Sequence, residues 1–178
     1  GMAFGTGSHP TTRLCLLALE ERVTPGMIMA DVGTGSGILA IAGVKLGAEI
    51  AYATDIDPLA REVSERNASD NQLQGRVLVQ EMEVFEAEAK GCHLIVANII
   101  AQIVIGLAPT SPPRLLPNGI FIASGIVEEY HDRVKETFEA LGMTYLETKR
   151  DDIWVCLVFR NTGDAETTEE GLPALPRG

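Results

Sequence analysis

The sequence has only three cysteines, Cys15, Cys92 and Cys156, odd in number and far apart, with no C-x-x-C pair and no Cys/His cluster. That pattern gives no ground for a disulfide framework or a metal site. Each cysteine sits among apolar neighbours and reads as a small core residue. No apolar run approaches the ~20 residues that a membrane span needs. No charged-then-apolar secretory segment opens the chain, so the default expectation is a cytoplasmic address and no membrane partner. Basic residues are in deficit: 14 Lys and Arg face 25 Asp and Glu, for a net charge of −11. The stretch 161–178 holds four acids (Asp164, Glu166, Glu169, Glu170) and one base (Arg177), which leaves a strongly acidic body. Such a body repels phosphates and argues against direct nucleic-acid binding. It aids solubility and suits a basic partner. No internal repeat is evident, and the oligomeric state is not legible.

What is present is an ordinary globular composition, 46% apolar and 22% charged in 178 residues, enough for one domain with a full core. The opening segment, residues 1–12 (GMAFGTGSHPTT), reads as a loop. Arg13–Arg22 has apolar residues at helical spacing and predicts a helix, broken by Pro25-Gly26. Strands and helices then alternate. Strands are expected at Met27–Val32, Ile50–Thr54, Val77–Gln80, His93–Ala97 and Ile120–Ser124. Helices are expected at Ile38–Leu46, from Pro58 to about Asn71 with Asp57 as N-cap, at Ile100–Leu107 and at Glu129–Leu141. Val84–Lys90 reads as a short helix or loop. Met143–Thr148 and Trp154–Phe159 follow as two consecutive strands around Asp151-Asp152, a hairpin-like connection. The pattern predicts an α/β doubly wound sheet, mostly parallel with an antiparallel last strand. Residues 161–178 turn acidic and apolar-poor and are expected to be a disordered tail, leaving 1–160 as the domain.

The block Asp31-Val32-Gly33-Thr34-Gly35-Ser36-Gly37-Ile38 falls where strand one turns into a helix. Ligands of open α/β sheets bind at that end of the strands, and glycines there let the backbone approach a ligand closely. Gly33 and Gly35 are expected to make the turn and the close approach, and Gly37 to let the helix begin against the sheet. The spacing is G-x-G-x-G with an acid two residues earlier, whereas nicotinamide loops show G-x-G-x-x-G and meet a pyrophosphate. S-adenosylmethionine has no phosphate but has a cationic amino-acid end, which suits the carboxylate of Asp31. Asp55, just after strand two and 18 residues past Gly37, can accept both ribose hydroxyls. Asn98 ends strand four in Val96-Ala97-Asn98-Ile99-Ile100. Strand four neighbours strand one in this topology, so an amide oxygen there can take an N–H from an incoming amine and aim its lone pair. A nicotinamide-dependent oxidoreductase is the rival, opposed by the glycine spacing and the lack of an evident Tyr/Lys or Cys/His catalytic set.

The segments MAFGTGSHPTT, DVGTGSGILAIAGVKLGA, DIDP, VANIIA, SGI and WVCLVFR together resemble the ribosomal protein L-eleven methyltransferase family (PrmA type), in order over residues 1–160. The resemblance implies a class I methyltransferase, Rossmann-like sheet of seven strands. It implies transfer of methyl groups from S-adenosylmethionine to α-amino and lysine groups of a ribosomal protein. By position it implies cofactor contacts from Thr6 and Gly7 in a covering loop, from Asp31, Gly33, Thr34, Gly35 and Asp55, and from Asn98, which also meets the amine. Thr34 stands where many members have Cys. A family Gly-Asp that meets adenine is replaced by Gln80-Glu81-Met82-Glu83, leaving Glu81 and Glu83 as alternatives. The family's separate N-terminal recognition domain has no counterpart in the sequence, so a different protein or a small molecule stays open as acceptor. No general base stands out. His9 is the titratable candidate in the opening loop, weighed against a loop-stabilising hydrogen bond, and Glu128 and Glu129 read as exposed helix-start charges.

Overall fold

Helix α1 (Pro10–Arg22) starts three residues before the apolar periodicity does. The reason is its cap: His9 Nδ1 accepts the Thr11 N–H at 3.2 Å, and Pro10 occupies the first turn, where a missing N–H costs nothing. His9 is thereby a capping residue, its ring also set edge-on to Trp154 at 5.3 Å.

The alternating segments follow as strand β1 (Ile28–Val32), helix α2 (Ile38–Lys45), β2 (Ile50–Asp55), α3 (Pro58–Asp70), β3 (Val77–Glu81), β4 (Cys92–Asn98), α4 (Ala101–Leu107), β5 (Leu115–Val127), α5 (His131–Ala140), β6 (Thr144–Asp151) and β7 (Trp154–Arg160). They come from a computed structural model that describes residues 9–83 and 91–162. The reading of 84–90 as a short helix or loop lies outside the described residues.

The seven strands form one sheet in the order β3-β2-β1-β4-β5-β7-β6. Pairs from β3 through β5 are parallel, and β7 runs antiparallel to both β5 and β6. The order reverses direction between β1 and β4, the switch point at which such sheets open a crevice.

Side chains alternate across the sheet. On β4 and β5, Leu94, Val96, Ile120 and Ile122 face α1 and α2, with Leu14, Leu19, Leu39 and Val44. Ile95, Ala97, Phe121 and Ala123 face α4 and α5, with Val104, Val134 and Phe138. Two cores, one per face, thus fix the strand ends between them. Cys15, Cys92 and Cys156 are free and buried, as small core residues.

Among the other boundaries that depart from the sequence reading, two bear on how the sheet is closed. Strand β5 is longer than Ile120–Ser124: it runs through Pro117-Asn118-Gly119 with a shifted register against β4. Asn161, read as the first tail residue, is 6% exposed. It donates its backbone N–H to Gly119 O at 2.8 Å, accepts from Asn118 N at 2.7 Å, and sends Nδ2 to Leu115 O at 3.2 Å. A buried side-chain amide with these partners belongs to the fold. The rest of the expected tail, 163–178, lies outside the described residues.

Candidate functional site

A cleft of about 640 Å³ opens at the carboxyl ends of β1, β2 and β4, between the glycine loop, the start of α3 and the start of α4. Asp31, Gly33, Thr34, Gly35, Asp55 and Asn98 all line it. Thr6 and Gly7 lie outside the described residues.

The glycine loop is held from below and from the side. Thr54 O accepts from both Gly33 N (2.9 Å) and Thr34 N (2.8 Å), which bends the chain back over the end of β2. Gly33 has φ +75°, and a Cβ there would come within 2.7 Å of Ile99 Cγ2. Gly35 has φ +57°, and a Cβ there would meet nothing within 4 Å. Gly33 is therefore required by packing, while the bare side of Gly35 is turned to open space. Gly37 abuts Ser64 of α3, where a Cβ would stand 3.3 Å from the serine. The neighbour that demands its small size is thus a helix, not the sheet the sequence reading assigned.

Three α3 side chains clamp this region, and sequence reading missed all three. Ser64 donates to Gly35 O at 2.7 Å, Asn67 donates to Ser36 O at 2.7 Å, and Arg61 donates to Asp55 O at 2.8 Å. Their spacing, 61, 64 and 67, places them on one helical face. A polar stripe on the inward side of a helix was the available signal.

Asp55 sits at the tip of β2. Its Oδ2 accepts from Gly35 N and its Oδ1 from Asp57 N, each at 3.0 Å. A carboxylate has about four lone-pair sites, so acceptor capacity remains for hydroxyls of a ligand. Asp57 caps α3, with Oδ1 taking the Leu59 N–H at 2.9 Å.

Asp31 is 1% exposed. Burial pushes its carboxyl up to about 7; hydrogen bonds from the Thr34 hydroxyl and the Ala40 N–H work against that rise, and the charge of Asp55 adds to it. Thr34 Oγ1 stands 2.7 Å from Asp31 Oδ2.

Asn98 completes the site. It pairs in register with Ser124 of β5, and its Oδ1 is buried with no hydrogen-bond partner among the described residues. A buried acceptor left unpaired is costly, and in a native structure such an atom points to a missing partner. Beside it Ile99, Ile100 and Ile103 form an apolar wall, with Ile100 and Ile103 each 50% exposed.

Neither adenine candidate lines the cleft. Glu81 reaches toward Arg61 instead, at 3.7 Å. Glu128 pairs with Arg150 at 3.0 Å, away from the cleft. Among the described residues no group of three His, Cys, Asp or Glu gathers as a metal site.

Comparison with known proteins agrees with this geometry. The family profile described as "Ribosomal protein L11 methyltransferase (PrmA)" matches residues 1–162. The chain belongs to this family. It is 46% identical over 160 residues to the ribosomal protein L11 methyltransferase of Pelotomaculum thermopropionicum and 45% identical over 160 residues to that of Carboxydothermus hydrogenoformans. Each alignment covers 90% of this chain and 52% of the relative. The chain thus spans about half the length of the curated relatives it matches. The crystal structure of a ribosomal protein L11 methylase from Lactobacillus delbrueckii subsp. bulgaricus superposes with a TM-score of 0.79 at 34% identity, over 86% of this chain and 79% of that one. A precorrin-6y C5,15-methyltransferase from Geobacter metallireducens, 13% identical, shares the fold at a TM-score of 0.71, over 89% of this chain and 92% of that one. The family's fold, a class I methyltransferase sheet of seven strands, is the one described above.

Proposed function

We propose that this chain is the catalytic unit of an S-adenosylmethionine-dependent N-methyltransferase that modifies α-amino and lysine groups of a ribosomal protein. The acceptor named for its relatives is L11. The observation that carries the reading is the Asn98 oxygen, buried with no hydrogen-bond partner among the described residues, beside a glycine loop whose open side faces the cleft.

Bound in this cleft, S-adenosylmethionine supplies a methyl group on a sulfonium, already activated for in-line displacement by an amine. The residues present suit it. Asp55 offers acceptors to ribose hydroxyls, Asp31 offers a buried carboxylate to the ammonium of the methionine end, and Gly33, Thr34 and Gly35 supply a backbone that a ligand can approach. Thr6 and Gly7 belong to this set by family resemblance. Asn98 Oδ1 accepts an N–H from the acceptor amine and so fixes the direction of its lone pair.

Deprotonation is the remaining demand. An α-amine with pKa near ~8 is partly neutral at pH 7, whereas lysine at ~10.4 is almost entirely charged. Ile99, Ile100 and Ile103 withdraw water from an entering amine, and desolvation favours its neutral form.

The acidic body, with its net charge of −11 over the whole sequence, attracts a basic protein acceptor and disfavours direct nucleic-acid contact. We take residues 1–162 as the catalytic unit, two residues beyond the sequence-based boundary. The compartment is the cytoplasm; among the described residues, no helix is long and apolar enough to cross a membrane.

The test is incubation with methyl-labelled S-adenosylmethionine and purified L11, read by intact mass and fragment mapping, beside an unrelated basic protein. Label on amino groups of L11 is expected. Firm cofactor binding with no label on L11 would remove the acceptor, and absence of cofactor binding would remove the whole reading.

A further inference from the structure

Thr34 is a cofactor contact by family resemblance, and it lines the cleft. Its hydroxyl is also engaged within the protein. The residue is 6% exposed, and its hydroxyl lies 2.7 Å from Oδ2 of Asp31, itself 1% exposed. Asp31 stands on the buried face of β1, one alternation after the core residue Met29.

The groups packed around this carboxylate offer it little compensation. From α2 comes the Ala40 N–H, and from β2 the like charge of Asp55. From α1 comes the thiol of Cys15, held protonated by its own burial, with Cys156 of β7 beside it. From β4 the paired residue is Val96. None of these is a cation. The Thr34 hydroxyl is thus the one side-chain donor to the carboxylate among these neighbours, and it lies on the loop that forms the floor of the cleft.

We infer that Thr34 is a positioning residue: its hydroxyl orients the Asp31 carboxyl and favours its charged form, which meets the ammonium of the bound cofactor. This rests on the reading of the cleft as an S-adenosylmethionine site. A hydrogen bond to the charged form of an acid favours that form. Ligand binding that requires an ionised Asp31 therefore weakens as pH falls through its titration. Loss of the hydroxyl moves that weakening to higher pH.

Calorimetric titration with S-adenosylhomocysteine from pH 6 to pH 9 tests this on the whole chain, as wild type, Thr34→Val and Thr34→Ser. One hydrogen bond is taken to move the titration by about one unit, a tenfold change. The ratio of Kd values, Thr34→Val over wild type, should then approach about tenfold at pH 6 and close to less than about twofold by pH 9. Thr34→Ser should restore the wild-type profile.

A ratio that is the same at every pH would mark a merely structural contribution and overturn the inference, as would failure of Thr34→Ser to rescue. Should Thr34→Val not fold, Thr34→Ser alone must still reproduce the wild-type pH profile. A wild type that binds no S-adenosylhomocysteine at any pH would take down the cofactor reading itself, a result distinct from the other two.

Discussion

Gly33 and Ile99 meet so closely across the end of β1 and β4 that a single added carbon on the glycine would stand 2.7 Å from Ile99 Cγ2. Gly35, two residues on, has open space where its Cβ would be. The two glycines therefore predict opposite phenotypes. Gly33→Ala combines a left-handed φ, which costs roughly 1–2 kcal/mol, with a packing collision of about 1–3 kcal/mol, and should lower Tm markedly. Gly35→Ala should cost only about 1–2 kcal/mol for its φ, yet its methyl group enters the cleft. Thermal unfolding should single out Gly33→Ala. S-Adenosylhomocysteine titration should show an affinity loss for Gly35→Ala out of proportion to its stability.

Removing the Asn98 side chain should separate stability from activity. Its Oδ1 has no partner among the described residues, and an unsatisfied buried polar group costs about 1–3 kcal/mol. Asn98→Ala should leave Tm unchanged or raised. Methyl transfer should fall by about 10²-fold, the effect of losing a hydrogen bond to a charged or reacting group. Cofactor affinity should change far less. Transfer rates equal to wild type would remove the role given to this residue.

Asp55 joins the glycine loop to the tip of β2 through its bonds from Gly35 N and Asp57 N. Asp55→Ala should therefore weaken cofactor binding by at least tenfold and also cost about 1–3 kcal/mol of stability, because two backbone donors lose their acceptor. Asp55→Asn, which keeps one carbonyl oxygen, should recover part of the stability and little of the affinity. Calorimetry with an unchanged Kd for Asp55→Ala would withdraw ribose recognition from this carboxylate.

The buried Asp31 sets a pH dependence whose sign follows from burial. Its carboxyl titrates near 7 in the fold and near 3.8 in its ordinary environment. Between those values the folded chain holds the proton and the unfolded chain has released it. Folding stability without ligand should therefore decline as pH rises from about 4 to about 7, by a few kcal/mol, and level off above. Asp31→Asn should flatten that decline and melt above wild type at pH 8, while binding S-adenosylhomocysteine more weakly. Identical pH profiles of chemical unfolding for the two proteins would contradict the assignment.

The strand and helix order was legible because the parallel strands contain apolar runs, and β1, β2 and β4 run out at Gly33, Asp55 and Asn98, residues that sit at the ligand end of the sheet. Asp31, Asp55 and Asn98 come together at one cleft for that reason. Strand β5 was read short because Pro117-Asn118-Gly119 signals a break. The sheet absorbs it with a register shift and a left-handed Asn118 at φ 66°, and a single sequence carries no sign of that accommodation. Glu81 and Glu83 were reasonable adenine candidates by position, but Arg61 draws Glu81 away. The α3 clamp was missed because Ser64, Asn67 and Arg61 bond to backbone carbonyls, which have no sequence identity to read. The bond between Thr34 and Asp31 was not anticipated for a related reason: the glycine motif directs attention to the loop's backbone, and the partner of the hydroxyl lies three residues back.

The placement of β7 between β5 and β6 bears on how the polypeptide is made. Strand β6 emerges from the ribosome before β7, yet its pairing in the finished sheet is with β7. Until Trp154–Arg160 has been synthesised, the nascent chain carries a hydrophobic sheet border at β5 with nothing laid along it, a template for association with other chains. Stalling or premature termination within this closing hairpin should therefore yield aggregates and chaperone-bound intermediates rather than a slightly destabilised fold.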